Sequence, residues 1–220
     1  MQIIKFANMI KLAKGVILMD EKLFGKYDLS EVKVTDPSFV AYVNLSPVNM
    51  PHSHGRHAKK QFGKSGVNIA ERLANKLMRG GTGEKTSGKV IRTDGRLQGK
   101  KSRVMGIVED ALEIVATRSK KNPVQLLVDA AQNAAPREDF TRVSMGGVSY
   151  QVAVDVSASR RLDMALRNIA LAAIMGAFDK KKTLVEALAD EIELASKNDS
   201  NLSYAIKKRD ETERMARSSR

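Results

Sequence analysis

"TRVSMGGVSYQVAVDVSASRR", residues 141–161, decides the fold: it alternates apolar and polar residues in a chain whose other regular segments repeat at helical spacing. Gly146 and Gly147 are placed as the central pair of a tight turn, predicting the pairs Met145–Val148, Ser144–Ser149, Val143–Tyr150 and Arg142–Gln151. Both glycines then take positive φ, which glycine adopts without strain. One face becomes Val143, Met145, Val148, Tyr150 and Val152, and the other Arg142, Ser144, Ser149 and Gln151. A solitary hairpin is marginal in water, so something must brace it. Two readings stay open: a flap packed on helices, or a projecting arm whose side-chain-poor tip, Met145, Gly146, Gly147 and Val148, lets backbone approach a ligand. Arg137, Arg142, Arg160 and Arg161 near the base favour the arm, because guanidinium groups suit bidentate phosphate contacts.

Helical patterns flank this stretch. "NIAERLANKLMRG" carries an apolar stripe from Ile69 to Met78, with Asn68 and Glu71 as a capping pair and Gly80–Gly81 as a stop. "RVMGIVEDALEIVATR" spaces Val104, Ile107, Val108, Ala111, Leu112 and Val115 on one face. "NPVQLLVDAAQNA" opens on an Asn122 cap with Pro123 at the first helical position and ends before Pro136. Beyond the hairpin, "RRLDMALRNIALAAIMGAF" is apolar nearly all round and reads as a central helix. "TLVEALADEIELAS" starts on a Thr183–Glu186 capping box. The last helix, "NLSYAIKKRDETERMAR", is so polar that it needs a second surface to dock against.

The expected fold is therefore mainly α, a six-helix bundle with one projecting β-hairpin between the third and fourth helices and an extended basic N-terminal arm. The arm spans 1–64, where Pro37, Pro47, Pro51 and several glycines interrupt any period. Residues 65–220 form the helical domain, including a flexible basic loop at 79–102 and the hairpin arm at 140–156. Residues 1–18 mix basic and apolar character without a secretory signal's pattern and read as an optional extension.

Lys and Arg number 38 against 25 Asp and Glu, a formal charge of +13, which points to a polyanionic partner. The absence of cysteine excludes disulfides, thiol catalysis and cysteine metal sites, and fits the cytoplasm. No apolar run reaches the 18 or so residues of a spanning helix, so no membrane role is expected. All three histidines fall in "PHSHGRHAKK", where Arg56, Lys59 and Lys60 would repel a cation and no carboxylate is near. "GKS" at 63–65 and "GTGEKTS" at 81–87 imitate phosphate loops and fail: Ala58 stands where the first needs glycine, and Glu84 opposes phosphate in the second. The carboxylates of Glu186, Asp190 and Glu193, spaced four and three residues apart, read as a solvated helix face. Neither catalytic residue, metal nor cofactor is expected. Basic residues instead gather in four clusters: 56–64, 85–103, the hairpin base, and 207–220. Aromatics are only 5% of the chain, so phosphate and shape recognition outweigh base stacking. Together the clusters point to a protein that touches RNA or DNA over a wide area, and a helical DNA-binding regulator is one such reading.

"NPVQLLVDAAQNAAPREDFTRVSMGGVSYQVAVDVSASRRLDMAL", then "LADEIELA" and "SYAIKKRDETERMARSSR", resemble the family of small-subunit ribosomal protein seven in its archaeal or eukaryotic form, over roughly residues 21–220. The resemblance implies a structural protein of the small subunit's head. It would bind the three-prime major domain of the small-subunit rRNA, nucleate head assembly, and contribute to the tRNA exit site and mRNA channel. By position it implies rRNA contacts at Arg56, His57, Lys59, Lys60, Lys64, Lys100, Lys101, Arg137, Arg142, Arg160 and Arg161. It places the tip, 145–148, and Lys207, Lys208 and Arg209 near exit-site tRNA, mRNA and neighbouring small-subunit proteins.

Overall fold

Residues 22–83, 85, 88 and 90–220 are described by a computed structural model; the expected extension at 1–18 lies outside them. Among the described residues, six helices and one strand pair follow in the order α1 (Ile69–Leu77), α2 (Lys101–Ser119), α3 (Pro123–Asn133), β1 (Glu138–Met145), β2 (Val148–Asp155), α4 (Ala158–Ala177), α5 (Leu184–Ser196) and α6 (Tyr204–Ser218). The caps are where short polar side chains can reach free amides. Asn68 accepts from the Ala70 N–H, Asn122 from Val124 ahead of a Pro123 start, and Ser203 from Ile206. Thr183 and Glu186 make a reciprocal capping box. Glu71 departs from expectation: its carboxylate leaves the cap to Asn68 and reaches a different segment, described below.

α4 is the central element, packed against α1, α3, α5 and α6. Leu162, Ala165, Leu166, Ile169, Ala170 and Ala173 are all buried, and small alanines between the larger residues let neighbouring helices approach. Each fully buried Leu or Ile contributes about 1.5–3 kcal/mol relative to exposure. α5 lies across α2, α3 and α4 and encloses the other side of the core.

β1 and β2 pair antiparallel in the predicted register, from Glu138 opposite Asp155 to Met145 opposite Val148. Gly146 and Gly147 have φ of 58° and 82°. Val143, Val148, Tyr150 and Val152 are exposed, so the ribbon projects rather than lying flat on the bundle. Its brace is α6, which contacts both strands. The Glu213 carboxylate accepts from the Arg137 amide at 3.0 Å, and Arg220 pairs with Glu138. The hairpin base is the second surface that this polar helix needed.

Residues 22–66 are less free than an extended arm. They form three short 3-10 turns, Pro37–Phe39, Arg56–Lys59 and Gly63–Gly66, and bury Leu23, Leu29 and Phe39 in the core. Backbone polar groups of this irregular stretch are met by side chains on one face of α3 and its cap. Asn122 donates to the Asp28 carbonyl, Gln125 both accepts from the Lys33 amide and donates to its carbonyl, and Gln132 accepts from Thr35 and Asp36. Without a hydrophobic period, the sequence gives no sign of this docking. The 79–102 segment is likewise pinned at its base: the Thr82 amide donates to Ile91 and the Thr93 amide to Gly80, while Ile91 and Leu97 are buried.

Phe39→Ala is expected to destabilise the protein by about 3–5 kcal/mol in denaturant unfolding, the usual cost of emptying a buried aromatic site. Phe62→Ala, at a position 73% exposed, should change stability by no more than about 0.5 kcal/mol. Equal, small effects would mean that the segment carrying Phe39 is a free arm.

Candidate nucleic-acid interface

A cation that no carboxylate already holds is the more open to a phosphate, so ion pairing sorts the basic residues into two groups. Arg56, Lys59, Lys60, Lys100, Arg142, Arg137 and Lys207 are exposed and make no ion pair among the described residues. Arg56, Lys59 and Lys60 sit on or beside the Arg56–Lys59 turn, which stacks on the Gly63–Gly66 turn. Gly63 makes that stacking possible, since a Cβ there would lie 2.4 Å from the His57 carbonyl oxygen. Lys100 precedes α2, Arg137 and Arg142 flank and enter β1, and Lys207 lies on the first turn of α6. At the tip, Gly146, Gly147 and Val148 project to solvent, and the backbone of Met145 pairs with Val148.

The second group is committed internally. Lys101 pairs with Glu71, which is almost wholly buried. The same carboxylate accepts from the Ser53 amide at 2.9 Å and the Ser53 hydroxyl at 2.7 Å, and Ser53 Oγ lies 3.1 Å from His57 Nδ1. One carboxylate of α1 thus ties the N-terminal segment to the start of α2. Burial alone would push the Glu71 carboxyl up, but the hydrogen bonds from Lys101 and Ser53 outweigh it and hold the group below the usual carboxylate range.

Arg161 is similarly occupied. Its guanidinium donates to Ser38 Oγ at 2.9 Å and Asp36 Oδ2 at 3.1 Å, lies 4.6 Å over the Phe39 ring, and is 11% exposed. The geometry is that of a clasp holding the N-terminal segment on α4. Arg160, one residue earlier, points out and pairs loosely with Asp139 at 3.6 Å. Arg209 donates to the Asn133 carbonyl and to Asn198 and pairs with Asp210, joining α6 to the end of α3; Lys208 pairs with Glu211. Lys64 pairs with Asp163.

Asp163, with Arg72 and Lys76 facing it, was not singled out by sequence reasoning. The usable signal is Arg72 and Lys76 four residues apart on an amphipathic helix, a spacing that puts both on one face. The histidines do not gather: His52 and His54 rings lie 4.0 Å apart while His57 bonds Ser53. Among the described residues no group of three His, Asp or Glu is placed to hold a metal, and no helix is long and apolar enough to cross a membrane.

The sequence that forms this basic, largely helical body has relatives among known proteins. The family described as "Ribosomal protein S7p/S5e" matches residues 41–220. The chain belongs to the ribosomal protein S7 family. Members of this family are structural proteins rather than enzymes. Among the S7-family relatives, the small ribosomal subunit protein uS7 of Methanococcus maripaludis is 51% identical over 202 residues, covering 92% of this chain and all of that protein. The proteins of the same name from Methanococcus vannielii and Methanosphaera stadtmanae are each 48% identical, covering 92% and 91% of this chain and 97% and 99% of their own lengths.

Because the Glu71 carboxyl is lowered in the folded state, its contribution to stability is complete above the ordinary glutamate pKa of about 4.3 and is lost as pH falls through the lower folded value. Glu71→Gln leaves Lys101 without its charge partner and should cost roughly 3–5 kcal/mol at neutral pH. It should also shrink the acid limb of a stability-against-pH curve from denaturant melts. A variant with unchanged stability and an unchanged acid limb would contradict the clasp.

Proposed function

We propose that this chain is a structural, rRNA-binding component of the small ribosomal subunit, located in the head. It binds the three-prime major domain of the small-subunit rRNA and nucleates head assembly there. The single observation that carries this reading is the distribution of uncommitted cations: they stand on the N-terminal turns, at the start of α2, at the hairpin base and on α6, where a large polyanion can engage them together. Membership of the S7 family and the names of its relatives, small ribosomal subunit proteins, supply the choice of rRNA over other polyanions. Neighbouring small-subunit proteins are further partners, and the cytoplasm is the compartment.

The hairpin supports a separate role. From Val143 to Val154 it has no basic side chain, so its distal part is poorly suited to anchoring on phosphates. Its tip instead offers exposed backbone at Gly146 and Gly147, suited to weak, reversible contact with exit-site tRNA and mRNA. The guanidinium groups of Arg137 at the base and Arg142 midway along β1 attach to rRNA.

Binding of the full chain to a transcript of the three-prime major domain should weaken steeply with salt, with a log-log slope of roughly −0.7 to −0.9 per phosphate contact. Duplex DNA of equal length should compete poorly. A flat salt response, or preference for the duplex, would reject the rRNA reading, the latter in favour of a DNA-binding regulator. Replacing Gly146 and Gly147 with Val forces positive φ on β-branched residues at about 1–3 kcal/mol each, confined to the turn. Helicity by circular dichroism and incorporation into small subunits should persist while exit-site tRNA crosslinking falls; unchanged crosslinking would remove the tip from that role.

A further inference from the structure

Asp163 is outnumbered. Its Oδ1 lies 3.1 Å from Arg72 Nη2 and 3.3 Å from Lys76 Nζ, and its Oδ2 lies 3.3 Å from Lys64 Nζ. Three positive groups share one negative group in a recess of about 150 Å³, whose wall His57, Val67 and Asn75 complete without a second carboxylate. The Arg72 side chain is 5% exposed and that of Lys76 30%. Charges withdrawn this far from water are costly unless balanced. The Lys76 ammonium shows the imbalance: burial first, then repulsion from Lys64 and Arg72, hold it below the usual lysine range in spite of Asp163.

A second anion would restore the balance, and the geometry limits what it can be. Ligand pockets for larger molecules run to about 300–1,000 Å³, so this recess takes a single oxyanion group rather than a base with its sugar. It opens to solvent beside Lys64, which is 60% exposed. Exposed cations continue on either side. Lys59 and Lys60 precede Lys64 on the stacked turns, and Arg160 and Arg167 lie three residues before and four after Asp163, on its face of α4. A recess for one oxyanion within a row of exposed cations matches a polymer of phosphates better than a free ion.

We propose that Lys64, Arg72 and Lys76 seat one phosphodiester group of bound RNA, with Asp163 holding the three cations in position. This site rests on the RNA-binding reading above and adds to it a defined phosphate contact. It also couples binding to folding, since Lys64 and His57 belong to the N-terminal segment, Arg72 and Lys76 to α1, and Asp163 to α4. A phosphate placed among them joins three separate parts of the chain.

The test uses the full chain and a three-prime major domain transcript, titrated across a range of salt concentrations. Lys76→Gln should flatten the log-log slope by roughly 0.7 to 0.9, one contact's worth, and Lys76→Arg should restore it. If circular dichroism shows that Lys76→Gln does not fold, Lys64→Gln at the exposed rim carries the same expectation. A folded variant with the wild-type slope would overturn the seat while leaving RNA binding intact. A flat slope in the wild type would instead remove the RNA-binding reading itself. A polyglutamate peptide that competes equally with the transcript at equal charge would assign the recess to an acidic protein segment and also overturn the proposal.

Discussion

The enclosure of α4 is the constraint on which the rest of the structure depends. A helix of 20 residues with Leu162, Ala165, Leu166, Ile169, Ala170 and Ala173 all buried cannot stand at a surface, so other elements must cover it on several sides. α1, α3, α5 and α6 do so. Phe39 is also buried in the core, and the 3-10 turn that carries it packs directly on α4. Because β2 runs straight into α4 through residues 156 and 157, fixing α4 also aims the hairpin.

A chain of charge +13 has few carboxylates to place, and the fold places several of them at junctions between segments. Glu71 joins the N-terminal segment to α2, Asp36 holds it to α4 through Arg161, and Glu213 fixes the hairpin base to α6. Glu191 of α5 accepts from Ser203 Oγ and the Ala205 amide and so seats the start of α6; burial pushes its carboxyl above the usual range. Acid used inside in this way leaves much of the surface basic. The consequence for function is that docking geometry and binding charge come largely from different residues, although both are Lys and Arg in the sequence, with the cations around Asp163 as the exception.

Elements with a clear period or a special turn were legible from the sequence. The hairpin register followed from Gly146–Gly147 and strict alternation, and α3 and α5 from the Asn122–Pro123 and Thr183–Glu186 caps. Residues 22–66 were not legible as a packed layer, because their anchoring side chains, Gln125 and Gln132, lie about a hundred residues away and look like ordinary surface polar residues. The same limit applies to the interface. Basic clusters could be found by composition, yet Lys101, Arg161 and Arg209 differ from Lys100, Arg160 and Lys207 only in what the fold puts beside them. The pairing of Asp163 with Lys64, Arg72 and Lys76 is also tertiary, bringing α4 against α1 and the stacked turns.

The central claim is that the unpaired cations of this fold serve assembly into the small ribosomal subunit. Sedimentation of a cell extract at low magnesium, which separates the subunits, tests it most directly. The account predicts that the chain travels with the small subunit and is released only at high salt. A chain that stays at the top of the gradient at low salt, or follows the large subunit or the DNA, would contradict it.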